Sequence, residues 1–338
     1  MKKSSKKALV SIMIAYLFIL CTLLIGCSNT QTASDTKAKD VSSKGTIVKV
    51  GLPSSNASYL PLFVAEKRDL FQKHHINVSF TQVQGGVTAL RGLQTGDFQV
   101  ISSLPESVIT GVAQGANIKM IGTLDNQSMY SIYSTQDIKS PQDLKGKVVA
   151  TNRPGNGTDI QLRWWLKKNG LDPNKDVRII EAGENSTRLQ TVMSGQAQMT
   201  ILSQPTDLKA DAAGLKKLAL MRDELKNYNH NMLLANGDFL KNQPKAAKGF
   251  MDAVAEATDY AKNPQNRDEM VQLLMDQLNM KKEDAQKSLD FVLPALADKG
   301  EASVEGIKWA IDTTKQAGTL KGNVSINQLV DETISQTN

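Results

Sequence analysis

Residues 46–71, TIVKVGLPSSNASYLPLFVAEKRDLF, hold the unit that decides the fold. The β-branched run at 47–50 predicts a strand, and the polar residues 54–56 predict a loop. Pro61 predicts the start of a helix, because proline is favoured at the first helical position. The apolar residues that give this helix its buried face are Leu62, Ala65, Leu70 and Phe71. A strand, a short loop and a helix in succession form the repeating unit of α/β folds.

The same alternation continues along the chain and then starts again. Strands are predicted at 76–80, 98–102 and 118–122, and in a second series at 147–151, 177–180 and 199–202. Strands separated by helices of about 10–15 residues usually pair in parallel, so the pattern predicts two mainly parallel sheets. Residues 129–137 and 221–235 connect the two series, and the chain from 243 onwards is predicted to be largely helical. Lobe 1 is therefore predicted from residues 46–132 and 232–338, and lobe 2 from residues 133–231.

The N-terminal residues predict a destination outside the cytoplasm. Lys2, Lys3, Lys6 and Lys7 precede an uncharged apolar run at 8–23, which leads into Leu24-Ile25-Gly26-Cys27. This ending resembles the lipobox of bacterial lipoproteins, which implies that residues 1–26 are a signal peptide and that the thiol of Cys27 is acylated. The alternative is a plain transmembrane anchor, and the run is close to the lower limit of about 17 residues for a spanning helix. The polar residues 27–45 predict a flexible tether.

Composition narrows the possible functions. The 338-residue chain has a formal charge of +6, and four of the positive charges are the signal lysines, which leaves +2 for the remainder. This balance gives no reason to expect a nucleic-acid partner. Cys21 and Cys27 are the two cysteines; the first is expected to leave with the signal and the second to be acylated. A mature protein of this kind would have no disulfide, thiol catalyst or cysteine-bound metal.

The sequence contains no recognisable catalytic constellation. His74, His75 and His230 lack the spacing and the cysteine partners of a zinc site, so we interpret them as surface residues. Gly155 and Gly157 are not followed by the Gly-Lys-Ser/Thr of a phosphate-binding loop. The sequence therefore predicts that the protein is not an enzyme and has no cofactor and no metal ion.

Small polar residues follow several predicted strands just before a helix begins. These positions are 54–56, 85–86, 102–103, 156–158, 185–186 and 203–204. In parallel sheets ligands bind outside the carboxyl ends of the strands, where helix N-termini offer free N–H groups. Each position taken singly is explained as well by helix capping, but the set of six predicts a ligand cleft. Glu106, Asp125 and Glu184 fall near the same strand ends and weigh against a purely anionic ligand.

Longer motifs resemble a known family. They are LPLFVAE at 60–66, LF at 70–71, GG at 85–86, DLKGKV at 143–148, GNGT at 155–158 and LDP at 171–173. Together they resemble the substrate-binding lipoproteins of ABC importers for nitrate, sulfonates, taurine and thiamine-pyrimidine-like compounds. Asp69 stands where the family usually has a glycine, at the end of a helix. The resemblance implies an α/β, two-lobed periplasmic-binding-protein type II fold, also called a Venus flytrap.

The strand-end pattern and the family's cleft loops together predict the ligand contacts. The predicted contacts are Ser54, Ser55, Asn56, Tyr59, Ser102, Ser103, Glu106, Asn126, Asn152, Asn156, Gly157, Thr158, Glu184 and Asn185. Ligand contacts made to both lobes would stabilise a closed form by hinge bending.

The leading hypothesis is a monomeric solute-binding protein of an ABC importer, anchored by lipid to the outer face of the cell membrane. The resemblance implies a small organic solute, either a sulfonate-, nitrate- or taurine-like anion or a pyrimidine-like heterocycle, and delivery to a permease with its ATPase subunits. The alternatives are an extracytoplasmic enzyme or a sensor that uses the same cleft. An enzyme branch of this superfold has a cysteine-rich iron motif, and residues 28–338 contain no cysteine.

Overall fold

The structure, a computed structural model, describes residues 45–335, all of which belong to one compact unit, Ser43–Asn338. Ten strands in this part of the chain form two five-stranded sheets. The predicted signal peptide, Cys27 and the predicted tether up to residue 44 lie outside the described residues. Between 45 and 335, every helix is too short or too polar to cross a bilayer.

The first sheet has the strand order β2-β1-β3-β10-β4. Its strands are β1 (Thr46–Leu52), β2 (Ile76–Gln82), β3 (Val100–Ser103), β4 (Ile118–Thr123) and β10 (Met232–Asn236). Strand β1 pairs in parallel with β2 and β3, and β10 runs antiparallel to both β3 and β4. We call this sheet and the helices packed on it lobe 1.

The second sheet repeats this arrangement in the order β7-β6-β8-β5-β9. Its strands are β5 (Tyr130–Ser134), β6 (Val148–Thr151), β7 (Arg178–Glu181), β8 (Met199–Ser203) and β9 (Lys216–Leu220). Strand β6 is parallel to β7 and β8, whereas β5 is antiparallel to β8 and β9. This sheet and its helices form lobe 2.

In each sheet the strand that runs antiparallel to both of its neighbours is the one that arrives from the other lobe. Strand β5 follows the first crossing, residues 124–129, and β10 follows the second crossing, residues 225–231. The expectation of mainly parallel sheets is wrong for these two strands, because each enters its sheet from the opposite end. The α/β architecture expected from the alternating pattern is confirmed, while the predicted lobe boundaries at 132/133 and 231/232 stay predictions.

Fourteen helices accompany the strands in the described part of the chain. They are α1 (Leu60–Lys67), α2 (Leu70–Lys73), α3 (Gly85–Thr95), α4 (Pro105–Ala113), α5 (Gly157–Lys168), α6 (Asn185–Met193), α7 (Thr206–Ala212), α8 (Met221–Glu224), α9 (Gly237–Asn242), α10 (Pro244–Lys262), α11 (Arg267–Leu278), α12 (Lys282–Val292), α13 (Val304–Gln316) and α14 (Ile326–Leu329). Short 3-10 turns lie at Ala57–Tyr59, Pro141–Leu144, Pro264–Asn266, Leu293–Ala295 and Asp298–Gly300.

Both faces of the first sheet are buried, and alternate residues of each strand point to opposite faces. In β10, Leu233 and Ala235 pack with helices α1, α10, α11 and α12, while Met232 and Leu234 pack with α3, α4 and α13 on the other side. The second sheet has a main core that includes Ile132, Val149 and Ile201. These cores fix the positions of the strand ends on which the site is built.

Candidate functional site

A cavity of about 450 Å³ lies where the carboxyl ends of the parallel strands of both sheets meet. Its walls come from the segments that follow β1, β2 and β3 in lobe 1, and β6, β7 and β8 in lobe 2. Residues of the second crossing close it from one side. Cavities of a few hundred cubic ångströms between lobes are typical places for small ligands.

Ten of the fourteen predicted contacts line this cavity. They are Ser54, Asn56, Tyr59, Ser103, Asn152, Asn156, Gly157, Thr158, Glu184 and Asn185. Their role in binding stays a prediction, because the cavity shows only that they are brought together.

The other four predicted contacts do not line the cavity. Ser55 is exposed and its hydroxyl donates to Oε1 of Gln82 at 3.2 Å. Ser102 and Glu106 are buried, and the backbone N–H of Asn126 donates to the carbonyl of Ala295 at 2.9 Å. The sequence pattern located their loops, but it could not show which way each side chain points.

Two asparagines in the cavity wall act as helix caps. Oδ1 of Asn56 accepts from the N–H of Ser58 at 2.9 Å, and Oδ1 of Asn156 accepts from the N–H of Asp159 at 3.0 Å at the start of α5. Capping explains why the sequence has asparagine there. Both residues line the cavity, and within residues 45–335 neither carboxamide nitrogen donates to a protein acceptor.

Arg188, in the first turns of α6, brings a buried positive charge to the cavity. The side chain is 1 % exposed, and its guanidinium donates to the carbonyls of Ile201 at 3.0 Å and Gly183 at 2.6 Å and to Oδ1 of Asn185. All three acceptors are neutral, and no described carboxylate forms an ion pair with it. Burial lowers the pKa of the Arg188 guanidinium, and the nearby Tyr130 and Glu184 oppose that shift without forming an ion pair with it.

Asn185 orients this arginine. Its Oδ1 accepts from Arg188 and from the N–H of Ser203 at 3.3 Å, and its Nδ2 donates to the Ser203 hydroxyl at 2.8 Å. The predicted ligand contact is therefore also the group that ties α6 to the end of β8.

Aromatic side chains and a neutral imidazole form the side of the cavity next to the crossing. The rings of Tyr130 and His230 are edge to face with centroids 4.6 Å apart, and the Tyr130 hydroxyl is 2.9 Å from Oγ1 of Thr158. Nδ1 of His230 accepts from the N–H of Met129 at 3.4 Å, which assigns the proton to Nε2. Burial lowers the pKa of His230 to about 3, so the ring is neutral at physiological pH.

The interpretation of His230 as a surface residue is wrong, because the crossing buries it to 2 % exposure. His74 is half-buried and its ring lies 3.3 Å from Oε2 of Glu256, and His75 is exposed. In residues 45–335 no three histidine, cysteine, aspartate or glutamate side chains are grouped as a metal site would require.

Charges of both signs face the cavity. Arg91 and Arg153 join Arg188 in the lining, and Glu181 and Glu184 are the acidic members. Glu184 spans the cavity, since a Cβ placed on Gly85 at the start of α3 would lie 3.1 Å from its Oε1. The lining therefore contains three arginines and two glutamates, and the arginines come from both lobes.

Asp125 supports the lobe 1 wall from behind, next to the lining residue Tyr59. Asp125 is fully buried and accepts from the N–H of Asn231 at 2.9 Å and from its Nδ2 at 2.6 Å. Burial raises the pKa of Asp125 to about 6 and that of Tyr59 to about 12. Asn231 lines the cavity, so Asp125 holds a lining residue and does not face the ligand space itself.

Sequence reasoning missed Arg188, Tyr130 and His230 as lining residues. Arg188 had a signal, because a long side chain in the first turns of a helix points back towards its N-terminus. Tyr130 follows a crossing that the sequence pattern did not identify as leading into a strand, and His230 had no local signal.

Comparisons with known proteins agree with this architecture. A family model described as NMT1/THI5 like matches residues 56–267. YtlA of Bacillus subtilis (strain 168) is 22% identical over 299 residues, which cover 86% of this chain and 89% of YtlA. The 4-amino-5-hydroxymethyl-2-methylpyrimidine phosphate synthase of Uromyces fabae is 28% identical over 222 residues, 60% of this chain and 62% of the synthase.

Two solved structures share the fold at low sequence identity. The periplasmic aliphatic sulphonate binding protein SsuA from Escherichia coli has a TM-score of 0.72 at 19% identity, covering 86% of this chain and 93% of SsuA. The periplasmic nitrate-binding protein NrtA from Synechocystis PCC 6803 has a TM-score of 0.70 at 18% identity, covering 86% and 87%. These likenesses confirm the predicted two-lobed periplasmic-binding-protein fold. Because the family match spans more than half of the sequence, the chain belongs to the NMT1/THI5-like family.

Proposed function

We propose that this chain is the solute-binding protein of an ABC importer and holds a small organic solute between its two lobes. The observation that carries the proposal is the cavity itself, which is lined by the segments after six parallel strands, three from each sheet. A solute there would contact both lobes at once. Such contacts exist only when the lobes are together, so they would shift the protein towards a closed form that a permease can recognise.

The lining supports a solute that carries an anionic group. Arg188 is buried beside neutral hydrogen-bond acceptors and forms no ion pair with a described carboxylate, so a bound anion would supply a direct partner for its charge. SsuA and NrtA are named for sulphonate and nitrate binding, which fits a sulfonate-, nitrate- or taurine-like anion. The carboxylates of Glu181 and Glu184 could pair with an amine on the same solute. A pyrimidine-like heterocycle is the alternative ligand.

The location and partners belong to the same proposal. Acylation of Cys27 would hold the monomeric protein on the outer face of the cell membrane, beside a permease and its ATPase subunits. Replacing Cys27 with alanine is expected to abolish incorporation of labelled palmitate and to release the protein from the membrane fraction. Retention of label in the variant would contradict the anchor.

A ligand screen tests the binding half of the proposal. The purified full chain is heated with each of a panel of sulfonates, nitrate, aromatic acids, pyrimidines and flavin precursors, and unfolding is followed by tryptophan fluorescence. A ligand at 100 times its Kd is expected to add about 2.7 kcal/mol to the free energy of unfolding. If no class of solute in the panel stabilised the protein, the proposal would be contradicted.

Variants then test the map of the cavity. Arg188→Met is expected to reduce the affinity for an anionic hit by at least tenfold, and Asn156→Ala and Tyr59→Ala to reduce it several-fold. Arg178→Met is the matched control, because Arg178 is exposed on β7 and does not line the cavity. Equal affinities for the control and for all three cavity variants would show that the ligand binds elsewhere.

An enzyme that uses the same cavity is the second candidate, and the relationship to the Uromyces fabae synthase is the observation in its favour. The described residues 45–335 contain no cysteine, so an iron motif built on cysteines has no ligands there. Turnover of a bound solute that disappears in Glu184→Gln would support this candidate over simple binding.

A further inference from the structure

Glu106 lies at a point where the two lobes touch. It belongs to the first turn of α4 in lobe 1 and is 1 % exposed. Gly157, the first residue of α5 in lobe 2, packs directly on it: a Cβ placed there would overlap Oε2 of Glu106 and lie 2.7 Å from Cδ1 of Leu104. The carboxyl group is therefore shielded from water by the backbone of the opposite lobe.

A buried chain of hydrogen bonds runs from Glu106 through both crossings. The Tyr228 hydroxyl is 2.9 Å from each carboxyl oxygen of Glu106 and accepts from Nε2 of Gln161 at 3.0 Å. Oε1 of Gln161 accepts from the Ser128 hydroxyl at 2.8 Å. Ser128 lies on the first crossing, Tyr228 on the second and Gln161 on α5, and all four side chains are buried. The chain thus joins both lobes and both connections between them.

Titratable groups surround Glu106, but none of them forms an ion pair with it. Tyr228 donates to it, and Tyr130 and His230 are the other titratable rings on this side. Helix α4 packs against α3, α5, α13, α14 and β4. The charged residues of those elements are Arg91; Asp159, Arg163, Lys167 and Lys168; Glu305, Lys308, Asp312 and Lys315; and Lys119.

Several of these charges already have other partners. Asp159 pairs with Arg163 at 2.7 Å, Lys168 pairs with Glu224 at 2.5 Å, and Glu305 accepts from Asn227 at 2.7 Å. Burial is the largest influence on Glu106 and raises its pKa to about 7. The Tyr228 hydroxyl partly offsets that rise, because its hydrogen bond favours the ionised form.

Separation of the lobes would take Gly157 away from Glu106 and admit water to the carboxyl group. An ionised carboxylate is favoured in water and disfavoured when buried without a cation. We propose that Glu106 and Tyr228 form a proton-dependent latch between the lobes, in which protonation of Glu106 favours the closed arrangement. The latch rests on the proposed function, since solute held by closure would be released more readily as the pH rises through neutrality.

The latch can be tested without knowing the solute. Gln94 on α3 and Gln190 on α6 are exposed residues on opposite lobes, and neither side chain makes a hydrogen bond in the described structure. Both are replaced by cysteine in the full chain, in detergent, with Cys21→Ser and Cys27→Ser, and are spin-labelled. Pulsed electron paramagnetic resonance then measures the distance between the labels from pH 5 to pH 9 with no ligand added.

We expect the population with the short distance to dominate at low pH. The ratio of long to short distances should rise by up to tenfold per pH unit, the limit for one linked proton, and by at least tenfold between pH 5.5 and 8.5. Glu106→Gln mimics the protonated side chain and should keep the short distance at every pH. Distances that do not change with pH in the parent chain, or an unchanged pH dependence in Glu106→Gln, would overturn the latch.

Two further variants serve as controls for the pH dependence of the label distance. Glu66→Gln changes a carboxyl group on the outer surface of α1, away from the contact between the lobes, whose pKa is also raised by partial burial. This variant should retain the parent's pH dependence. Gly157→Ala adds a methyl group where Glu106 packs and should give the long distance at all pH values, and a short distance in this variant would count against the contact. Because no ligand is present, a negative solute screen would leave this measurement unaffected.

Discussion

Gly306 shows how closely the last large helix approaches the second crossing. It lies in the first turn of α13, where its N–H donates to the capping hydroxyl of Ser303 at 3.2 Å. Ser303 in turn exchanges two hydrogen bonds with Asn229, at 2.7 and 2.8 Å. A Cβ on Gly306 would overlap the carbonyl oxygen of Asn227 and lie 2.8 Å from Nδ2 of Asn229. The absence of a side chain is therefore what allows this helix to dock.

We predict that Gly306→Ala lowers the free energy of unfolding by about 1–3 kcal/mol, because the added methyl group meets backbone that must shift. Urea denaturation followed by circular dichroism measures the change. Gly111→Ala, in helix α4, is the control. A Cβ at Gly111 would lie 3.4 Å from Cδ1 of Ile118, which is an ordinary van der Waals distance. Equal midpoints for the two variants would show that the contact at Gly306 is not tight.

At this scale the capping residues could be predicted and the charged contacts could not. Asn156 is an asparagine just before a helix, a preference that depends on local backbone geometry alone. The position of Arg188 depends on acceptors at 183, 185 and 201, which come together only when β8 pairs beside β6. Glu106 was predicted to contact ligand, and the packing of Gly157 over it is a property of two lobes together.

Helix α10 is the central element of the larger core of lobe 1. It is 19 residues long, and Phe250 near its middle is fully buried. The ring of Phe250 stacks on Phe71 with centroids 5.6 Å apart, and Phe71 contacts Phe80 of β2 at 6.0 Å. Phe71 of α2 thus contacts both α10 and β2, the edge strand of the first sheet.

Phe250→Ala is expected to lower the free energy of unfolding by about 3–5 kcal/mol, because it removes a buried ring and leaves a cavity. Met193→Ala is the control: Met193 is 50% exposed, and its truncation should change stability by less than about 0.5 kcal/mol. Thermal and urea unfolding measure both. A loss below about 1 kcal/mol for Phe250→Ala would mean that the neighbouring side chains close the gap.

The elements that sequence periodicity found are those with a strong local pattern. The strands β1 to β4 and β6 to β8 were all located to within a few residues. Strands β5, β9 and β10 were missed, and β5 and β10 are five-residue segments buried on both faces. A run buried on both faces has no alternation to detect, and its direction depends on which neighbours it joins.

The whole molecule is expected to lose stability as the pH rises from 5 towards 8. Burial raises the pKa values of Glu106 to about 7, Asp125 to about 6 and Asp207 to about 6, so the folded state binds protons that the unfolded chain releases. That stability is fully present below the ordinary carboxyl pKa and is lost as the pH rises through the raised values. His230 acts in the opposite sense, because its pKa is lowered to about 3 and its contribution is lost as the pH falls below about 6.5.

The difference between the parent chain and Glu106→Gln isolates one of these groups. Between pH 6 and pH 7 we expect the parent to lose about 1 kcal/mol more than the variant, since one proton contributes at most about 1.4 kcal/mol per pH unit. Urea unfolding at each pH provides the measurement, and the His230 contribution cancels because it is common to both proteins. Parallel pH profiles would contradict the assignment.

The sequence by itself determined the features that depend on residues close together along the chain. Strand and helix alternation, helix caps and the motifs of the family are local, and they were enough to predict the α/β two-lobed fold and most of the loops that line the cavity. Only the tertiary structure decided which side chains face that cavity, because Arg188, His230 and Tyr130 are aimed by contacts between segments that are distant in sequence. It also decided that Glu106 is a group between lobes, since its burial requires α4 and α5 to approach each other across two crossings.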